Sequence, residues 1–412
     1  MTGVVAPRSA ILRARWVIPV AGRVLDGGWL RIERGRVRAL GSGPPPGPAI
    51  DLGDVVVVPG LVNAHTHLEF SLLPRPLPGD GGLPAWIARL VALRRAEGCD
   101  PAARGRAIAA GLAESLAAGV TAIGEIATAP VPEGLPAARP RLRVYRECLG
   151  LAPAAAGRAA ALEREGFAVG ARCHSGISPH APYSVAAPLG RRLVAIARRR
   201  RLPVAMHLAE AEEEAGFLET GTGPFRELLD GLGAWPAPPP NLLPVADWLT
   251  LLARAPRGLV IHATFVAAGS APLDRLARHR DRLAVAVCPR TARLLSGRDP
   301  PLAALRAAGV RVALGTDGRG SSPDLDPRGE CRALVDAGLA TPAEALAMAT
   351  TDAAWGIGLE HVSGRLAPGR PADLAVIATG RTADPHAALL DPAAPVAATF
   401  LAGRVVHGRL PA

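Results

Sequence analysis

Through the middle of the chain, short runs of apolar residues alternate with stretches whose apolar positions recur at helical spacing. The eight apolar runs are DVVVVPGLVNAH, VTAIGEIA, LRVYRECLG, HSGISPHA, LPVAMHLAE, GLVIHATF, LAVAVCPR and VRVALGTDG. The stretches between them include PAWIARLVALRRAEG and APLGRRLVAIARRRR, whose spacing predicts helices. Eight strands alternating with helices predict an α/β fold of the (β/α)8 TIM-like barrel type.

The two ends of the chain have a different pattern. Roughly the first 55 and the last 45 residues contain short apolar runs separated by glycine-containing turns, which are typical of hairpins. One small composite β-sandwich formed by both termini is the simplest arrangement of these strands. We therefore predict two parts of a sandwich at residues 1–57 and 365–412, with the barrel formed by 58–364.

The composition leaves room for a large core and argues against a nucleic-acid partner. Of the 412 residues, 49% are hydrophobic and 3% aromatic, so the core is built from Ala, Val and Leu. The formal charge is +11, but the arginines are scattered along the chain. The one dense run, Arg198 to Arg201, ends a helical pattern, where positive charge complements the helix dipole. A nucleic-acid footprint would cluster, so we expect none.

Nothing in the sequence predicts a membrane or secretory segment. No apolar run reaches the ~18 residues that a membrane span needs. The N-terminal arginines are not followed by the uninterrupted apolar stretch of a secretory signal. The five cysteines are far apart and form no CxxC pair, which is typical of a reducing compartment. We therefore expect a cytoplasmic protein that has no membrane partner.

Four of the eight apolar runs end in side chains that bind metals: His65 and His67, His207, His262, and Asp317. In barrels of this type, catalytic groups lie at the carboxyl ends of the strands. His65 and His67 are two positions apart, so both imidazoles point to the same face of their strand and can reach one ion. Two buried imidazoles side by side would be costly without a shared ligand, which favours metal binding over a structural role.

His207 and Asp317 come from distant strands and could complete the ligand set. Three histidines and one carboxylate suit a borderline divalent metal, and we predict one ion, with zinc favoured and iron as the alternative. A water would occupy the open position, and the ion would lower its pKa toward neutrality.

Glu210 and His262 are candidate catalytic groups beside the predicted metal. Glu210 follows His207 by three residues in HLAE, where it could carry a proton from the water to the leaving group. His262 could polarise or hold the group under attack. The alternatives are a helix N-terminal charge for Glu210 and a hydrogen-bonded structural residue for His262. We interpret the neighbouring Glu212, Glu213 and Glu214 as a solvated helix face.

Seven segments of the chain resemble the amidohydrolase superfamily, in its cytosine deaminase-like and chlorohydrolase-like branch. They are VVPGLVNAHTHLEFS within 56–71, AAGVTAI near 120, SPHAPYSV at 178–185, MHLAEAEEE at 206–214, VIHATFV at 260–266, CPRT at 288–291 and LGTDGRGSSPDLD at 314–326. The tail at 348–377 is also similar to the family's last helix and return to the small sandwich. PGLVNAHTHLE and LGTD together are very specific.

The resemblance implies metal ligands at His65, His67, His207 and Asp317, and it implies proton transfer by Glu210. It also implies that His262 activates the reacting group and that Asp317 shares in proton handling. Other branches of the family bridge two metals with a carboxylated lysine, whereas all 47 basic residues of this chain are arginine. A glutamate bridge through Glu125 or Glu147 is the alternative, but it is not the pattern of this branch, so the resemblance implies a single metal.

Within the branch, the chain looks most similar to 6-aminodeoxyfutalosine deaminases of menaquinone biosynthesis, whose substrate is an adenine nucleoside that carries a benzoate. This implies hydrolytic deamination: activated water attacks the amidine carbon, Glu210 protonates the ring nitrogen and ammonia leaves. The pattern of that group has serine after the metal aspartate and an aromatic residue or histidine after CPRT, where this chain has Gly318 and Ala292. The predicted substrate contacts are Glu69, His180, Arg290 and Arg319; the two arginines could instead form structural salt bridges.

Three rival functions remain open from the sequence alone. The same centre could hydrolyse a chloride, a guanidine or an amide in place of an amine. A degenerate barrel could serve as a non-catalytic binding protein, although every expected ligand position is filled. The third rival, a basic nucleic-acid binder, predicts a salt-sensitive complex with DNA. The predicted partner is a small-molecule substrate, and a homodimer is left open.

Overall fold

The computed structural model describes residues 9–97, 100–132, 134–167, 170, 172–379 and 382–410. Its strands are β1 Ala10–Arg13, β2 Trp16–Val17, β3 Leu25–Asp26, β4 Gly28–Glu33, β5 Arg36–Ser42, β6 Ile50–Asp51, β7 Val55–Pro59, β8 Leu61–Thr66, β9 Val120–Ala127, β10 Arg141–Cys148, β11 Cys173–Pro179, β12 Val204–Leu208, β13 Gly258–His262, β14 Leu283–Val287, β15 Arg311–Leu314, β16 Leu374–Ala378, β17 Val396–Leu401 and β18 Arg404–Gly408. 

The helices are α1 Gly82–Glu97, α2 Pro101–Ala117, α3 Ala156–Glu165, α4 Ala187–Arg200, α5 Glu213–Thr220, α6 Pro224–Gly231, α7 Val245–Leu252, α8 Ala271–Arg278, α9 Pro289–Ser296, α10 Leu302–Ala307, α11 Pro327–Asp336, α12 Pro342–Met348, α13 Thr351–Gly356 and α14 Pro385–Leu390. No helix of the described residues is long and apolar enough to cross a bilayer. Four cysteines are free thiols, and Cys99 lies outside the described residues.

Strands β8 to β15 form one eight-stranded sheet in sequence order, and all of its neighbouring pairs are parallel. Every residue of β8, β12, β13 and β14 is buried. Strands covered on both faces read as continuous apolar runs, which is why these segments lack an alternating pattern. The predicted barrel is confirmed.

Hydrogen bonds between β8 and the segment that follows β15 close the barrel. Asn63 Nδ2 donates to Thr316 Oγ1 at 2.7 Å, and the Thr316 backbone amide donates back to Asn63 Oδ1 at 3.0 Å. The Asp317 amide also donates to the carbonyl of His65 at 3.1 Å. These bonds hold the loop after the last strand against the end of the first strand, where the predicted metal ligands lie.

The chain termini form two further sheets, as predicted. A four-stranded sheet contains β5, β4, β1 and β6, and a six-stranded sheet contains β18, β17, β16, β7, β2 and β3. The two sheets share an apolar core that includes Leu12, Leu30, Val57, Leu374 and Phe400. 

The boundary between the first sandwich segment and the barrel differs from the prediction. The run DVVVVPGLVNAH forms two strands rather than one, because the chain leaves the sandwich after Pro59 and enters the barrel at Leu61. The boundary predicted after residue 57 therefore falls inside β7, and the N-terminal part of the sandwich extends two residues further.

Candidate metal centre and catalytic cavity

The predicted ligands meet at the carboxyl ends of the barrel strands. His65 lies in β8 and His67 one residue beyond its end; His207 lies in β12, His262 ends β13, and Asp317 follows β15. His65 is fully buried, and the other four side chains are at most 15% exposed. Four strand ends of the barrel thus bring groups from distant parts of the sequence together.

The distances among these groups are those of a metal centre. Nε2 of His67 lies 3.3 Å from Nε2 of His207. Asp317 Oδ1 lies 3.3 Å from Nε2 of His65 and 3.6 Å from Nε2 of His67. Two overlapping groups, His65 with His67 and His207, and His65 with His262 and Asp317, each have their ligand atoms within 4.8 Å of one another.

The surroundings of His65 indicate whether these residues fit a metal ion. Its two ring nitrogens are buried, and neither has a hydrogen-bond partner among the described residues. An unsatisfied buried polar group costs about 1–3 kcal/mol, which is a reason to look for a ligand that the protein atoms do not supply. Imidazole nitrogens and a carboxylate are donors that zinc accepts, so the residues present fit one divalent ion.

Neighbouring groups orient the candidate ligands. His207 Nδ1 lies 3.0 Å from the carbonyl of His180, which fixes this nitrogen as the donor and leaves Nε2 to face the centre. Asp317 Oδ2 accepts a bond from Ser321 Oγ at 2.6 Å, and its Oδ1 accepts one from the amide of Gly318 at 2.8 Å. Such supporting bonds are characteristic of metal ligands in proteins.

Four residues at the site adopt left-handed backbone conformations without being glycine. The φ angles are 52° at Ala209, 71° at His262, 53° at Ala263 and 59° at Asp317. Such conformations are uncommon for residues that carry a Cβ, and they cluster at functional sites where the surrounding structure holds them. Here they turn the chain at the ends of β12 and β13 and in the segment that follows β15, and His262 and Asp317 line the cavity at the barrel mouth.

Burial sets the charge states of the candidate ligands. It lowers the pKa of His67 and His207 well below the ordinary value, and the neighbouring His65 adds to both shifts. Burial opposes ionisation of Asp317, but the adjacent His65, His67 and His262 hold its pKa well below the ordinary value. Neutral imidazoles and an ionised carboxylate are the forms that bind a metal ion.

Glu210 lies next to His262 at the edge of this cluster. Its Oε1 is 3.3 Å from Nε2 of His262, and both side chains are less than one-tenth exposed. Burial, together with the charge of Asp317, raises the pKa of Glu210 well above its ordinary value, and burial lowers the pKa of His262 to about 3. A carboxyl group of raised pKa, beside a neutral imidazole, can donate and recover a proton during a reaction.

Glu214 is buried, although the sequence predicts a solvated helix face for residues 212–214. Only 1% of it is exposed, and its carboxylate accepts bonds from the backbone amides of Ala209 and Glu210 at 2.9 and 3.1 Å. Burial raises the pKa of Glu214 to about 7. The side chain folds back onto the turn that carries Glu210, whereas Glu212 and Glu213 are exposed as predicted.

A cavity of about 250 Å³ opens above the cluster, lined by His67, His207, Glu210, His262 and Asp317. The remaining walls include residues that the sequence does not predict as substrate contacts, among them Phe70, Trp86, Arg94, Glu147 and Tyr183. We call this space the catalytic cavity. The predicted substrate contact His180 lines it too, with Nδ1 2.6 Å from Ser184 Oγ and Nε2 4.0 Å from Glu147 Oε1.

Glu147 is the least expected of these wall residues. Its Oε1 is buried and has no hydrogen-bond partner among the described residues. Burial, with the nearby Glu69, raises the pKa of Glu147 to about 8. The strand run LRVYRECLG contained this residue, but no spacing signal separated it from the other polar positions. Glu125 lies on the neighbouring strand β9. Its carboxylate accepts hydrogen bonds from the Thr66 hydroxyl and from the backbone amide of Leu68, so it has a structural role.

Three of the predicted substrate contacts do not line the catalytic cavity, because each is held elsewhere. Arg290 donates to Glu330 at 2.5 Å and to both carboxylate oxygens of Asp324 at 2.8 and 3.0 Å. Arg319 donates to the carbonyl of Leu73 and to Glu114. For both arginines the geometry agrees with the alternative of a structural salt bridge.

Glu69 is the third predicted contact that does not line the catalytic cavity. Its carboxylate accepts bonds from Arg94 and, at 3.0 Å, from Thr128, so it lies behind two residues that do line the cavity. The arginine at the cavity wall is Arg94, which also stacks over the ring of Phe70 at 4.8 Å. An arginine on a helix among several others carries no sequence signal for this position.

Gly318 explains one departure from the pattern of the resembling deaminases. A Cβ at this position would lie 3.0 Å from the Cβ of His67 and 3.1 Å from its carbonyl oxygen. Glycine therefore allows the segment after β15 to approach His67 closely. The hydroxyl beside the aspartate is supplied by Ser321 instead.

Comparison with known proteins identifies the family of the chain. The model of the amidohydrolase family matches residues 56–406, which include all of the candidate ligands. The chain belongs to the amidohydrolase family. As an amidohydrolase it is a metal-dependent hydrolytic enzyme that acts on carbon–nitrogen bonds of a small molecule.

Similar proteins in this family are named as deaminases. A 5-methylthioadenosine/S-adenosylhomocysteine deaminase of Halobacterium salinarum is 32% identical over 84% of this chain and 78% of its own length. An aminodeoxyfutalosine deaminase of Deinococcus radiodurans is 31% identical over 71% of this chain and 75% of its own length. A crystal structure of Helicobacter pylori aminofutalosine deaminase with methylthio-coformycin superposes with a TM-score of 0.82 at 24% identity, covering 97% of this chain and 100% of that chain, and shows a shared fold.

Proposed function

We propose that this amidohydrolase deaminates an aminated purine nucleoside by hydrolysis, with Glu210 as the proton carrier. The observation that carries the proposal is the position of the Glu210 carboxyl group, 3.3 Å from His262 and on the wall of the cavity that the candidate metal ligands share. A carboxyl group of raised pKa at this place can serve both as the base for water and as the acid for the substrate.

The ligands of the proposed ion are His65, His67, His207 and Asp317. Three imidazoles and one carboxylate favour zinc, with iron as the alternative. When bound, the ion would lower the pKa of a water molecule toward neutrality and so supply a nucleophile. The orphaned ring nitrogens of His65 and the bonds from Ser321 and Gly318 to Asp317 support this assignment.

In the proposed reaction the oxygen of water forms a bond to the ring carbon that carries the amino group. Glu210 takes a proton from the attacking water and gives it to the adjacent ring nitrogen. His262 holds the oxygen on which negative charge develops, and Asp317 takes the second proton of the water. When that proton reaches the amino group, the carbon–nitrogen bond breaks, ammonia leaves and a ring carbonyl remains. One water is consumed and one ammonia is released.

The leading candidate substrate is aminodeoxyfutalosine, which would place the enzyme in menaquinone biosynthesis. The sequence resemblance and the 31% identity to the Deinococcus radiodurans enzyme support it. A second candidate is 5′-methylthioadenosine or S-adenosylhomocysteine, which the 32% identity to the Halobacterium salinarum enzyme favours. Both are nucleosides of 6-aminopurine that differ in the group attached to the sugar, so the chemistry proposed for Glu210 is the same for both.

Location and assembly stay predictions from the sequence. A cytoplasmic enzyme without a nucleic-acid or membrane partner is expected, and a homodimer is left open.

An ammonia-release assay with zinc-loaded protein tests the proposal. The substrates are aminodeoxyfutalosine, 5′-methylthioadenosine, S-adenosylhomocysteine and adenosine, with a chlorinated triazine as the representative of the rival chloride hydrolysis. We expect ammonia and the corresponding 6-oxopurine from at least one nucleoside. Chloride release from the triazine, without ammonia from any nucleoside, would instead favour the chlorohydrolase alternative.

A further inference from the structure

Glu147 and His180 lie side by side on the wall of the catalytic cavity without bonding to each other. Glu147 comes from the end of β10, and His180 follows β11, the next strand of the barrel. The distance from Glu147 Oε1 to His180 Nε2 is 4.0 Å, which is too long for a direct hydrogen bond. A single oxygen atom placed between these two atoms could bond to both of them.

The protein itself leaves this pair incomplete. The Glu147 side chain is only 6% exposed, and its buried Oε1 has no hydrogen-bond partner among the described residues. His180 has its Nδ1 2.6 Å from the hydroxyl of Ser184, so Nε2 is the ring nitrogen that faces Glu147. Because a buried polar atom without a partner is costly, a ligand that supplies the missing partner gains affinity at this position.

A second metal ion is a poor occupant for this position. Ligand atoms of Glu147, His180 and His207 do lie within 4.8 Å of one another. His207, however, offers only Nε2, because its Nδ1 lies 3.0 Å from the carbonyl of His180, and Nε2 already faces the proposed ion beside His67. Since one nitrogen binds one ion, Glu147 and His180 would be left as two ligands, whereas structural zinc sites have four.

A hydroxyl group suits both members of the pair. A carboxyl group and an imidazole nitrogen can each donate or accept a hydrogen bond, depending on where the protons lie. A hydroxyl group does both, so it completes the pair when either partner donates and the other accepts. An anionic group would gain less here, because Arg94 on the same cavity wall is already paired with Glu69.

In a 6-aminopurine nucleoside, the groups that both donate and accept in this way are the hydroxyls of the sugar. The ring nitrogens only accept, and the amino group lies on the carbon that reacts beside Glu210. Glu210 and His262 belong to the ends of β12 and β13, whereas Glu147 and His180 belong to those of β10 and β11. The pair therefore faces a different part of the substrate from the proton carrier.

We propose that Glu147 and His180 together bind one secondary hydroxyl group of the sugar, and that this contact makes the enzyme select ribonucleosides over their deoxy analogues. The inference rests on the proposed deamination and deepens it, because it says how the non-reacting part of the nucleoside is recognised. Glu147 is a specificity-determining residue in this account and takes no part in proton transfer to the ring.

The experiment measures kcat/KM for adenosine, 5′-methylthioadenosine and aminodeoxyfutalosine, each beside analogues that lack the 2′ or the 3′ hydroxyl. We expect loss of the hydroxyl that the pair binds to lower kcat/KM by about 10–100-fold, because the analogue leaves a buried polar group without a partner. Loss of the other hydroxyl should have a smaller effect. The comparison of the two analogues then identifies which hydroxyl is bound.

Two variants of Glu147 assign the preference to this residue. Glu147→Ala should lower kcat/KM for the ribonucleoside to the value of its deoxy analogue, while the value for the analogue changes by less than about twofold. Glu147→Gln keeps a group that donates and accepts, so it should retain most of the preference. Both variants should bind as much zinc as the wild type. The control is Glu219→Ala, on an exposed position of α5 outside the cavity, which should leave every value unchanged.

The possible results separate the inference from the proposed function. Equal kcat/KM for the ribonucleosides and both kinds of analogue would overturn the inference and leave the deamination intact. A hydroxyl preference that persists in Glu147→Ala would also overturn it, and so would loss of zinc from that variant, since Glu147 would then be a metal ligand. Absence of ammonia from every nucleoside would overturn the proposed function, and the inference with it.

Discussion

The carboxyl group of Glu210 and Nε2 of His262 lie 3.3 Å apart at the mouth of the barrel, although 52 positions of sequence separate the two residues. The contact exists because β12 and β13 are neighbouring strands and the residues after both turn inward through left-handed conformations. Burial raises the pKa of Glu210 and lowers that of His262, so it disfavours the charged form of both groups.

Glu210→Gln tests the proposed proton transfer directly. Glutamine keeps the size and one hydrogen bond but cannot exchange a proton, so kcat should fall by about 10²–10⁴-fold. The bound metal should be unchanged, because Glu210 is not one of the proposed ligands. Ammonia release and metal content are measured on the same preparation. The matched control is Glu212→Gln, since that side chain is 73% exposed and should leave kcat as it is. Equal activity of both variants would rule out proton transfer by Glu210.

Removal of a proposed ligand should reduce the metal content. We expect His67→Ala and His207→Ala to lose most of the ion and nearly all activity, because the two Nε2 atoms lie 3.3 Å apart and point into one centre. The control is His361→Ala, whose side chain is 85% exposed and lies outside the cluster. Metal analysis after dialysis measures the difference. Full retention of the ion in both ligand variants would mean that the ion binds elsewhere.

The raised pKa of Glu214 should make the stability of the protein depend on pH. Its pKa is about 7 in the folded protein and 4.5 in the unfolded chain, so the folded state binds the proton more tightly. This contribution is fully present below pH 4.5 and is lost as the pH rises through 7, amounting to about 3 kcal/mol at most. Glu214→Gln should therefore flatten the fall in unfolding free energy between pH 4.5 and 8, as measured by urea unfolding.

The neighbouring exposed residue provides the control for this pH effect. Glu213→Gln changes the same charge one position away, on a solvated side chain, and should keep the wild-type pH profile. If Glu214→Gln also keeps that profile, Glu214 is ionised in the folded protein and its pKa is not raised.

Arg290 should matter for stability and not for substrate affinity. It is the ionic partner of Glu330, which is fully buried, so Arg290→Met leaves an unpaired carboxylate and should cost about 3–5 kcal/mol of unfolding free energy. KM should be unchanged. Arg226→Met breaks an exposed pair with Asp230 and should cost at most about 1 kcal/mol. A stable Arg290→Met protein with a raised KM would restore the sequence prediction of a substrate contact.

The metal cluster could be predicted from the sequence because its signals are local. A strand alternates its side chains, so two histidines two positions apart at the end of an apolar run must share a face. The barrel itself then brings the ends of distant strands together, which places His207, His262 and Asp317 beside the first pair. Neither step requires knowledge of side-chain packing.

The walls of the catalytic cavity could not be predicted in the same way. Arg94 lies on a helix that contains other arginines, and only the packing of that helix decides which guanidinium faces the site. The motifs CPRT and LGTD favour Arg290 and Arg319 as substrate contacts because these arginines lie within or beside them, but nearby carboxylates bind both side chains. Glu214 shows the same limit, because its carboxylate folds back onto backbone amides instead of pointing to solvent with its neighbours.

Titration of the metal-free protein with zinc, followed by ammonia release from aminodeoxyfutalosine and 5′-methylthioadenosine, tests the central claim most directly. Activity should rise in proportion to added zinc and reach its plateau at one ion per chain, while Glu210→Gln binds the same single ion and releases no ammonia. A plateau that requires two ions per chain, or ammonia release that does not depend on the metal, would contradict a single-metal deaminase.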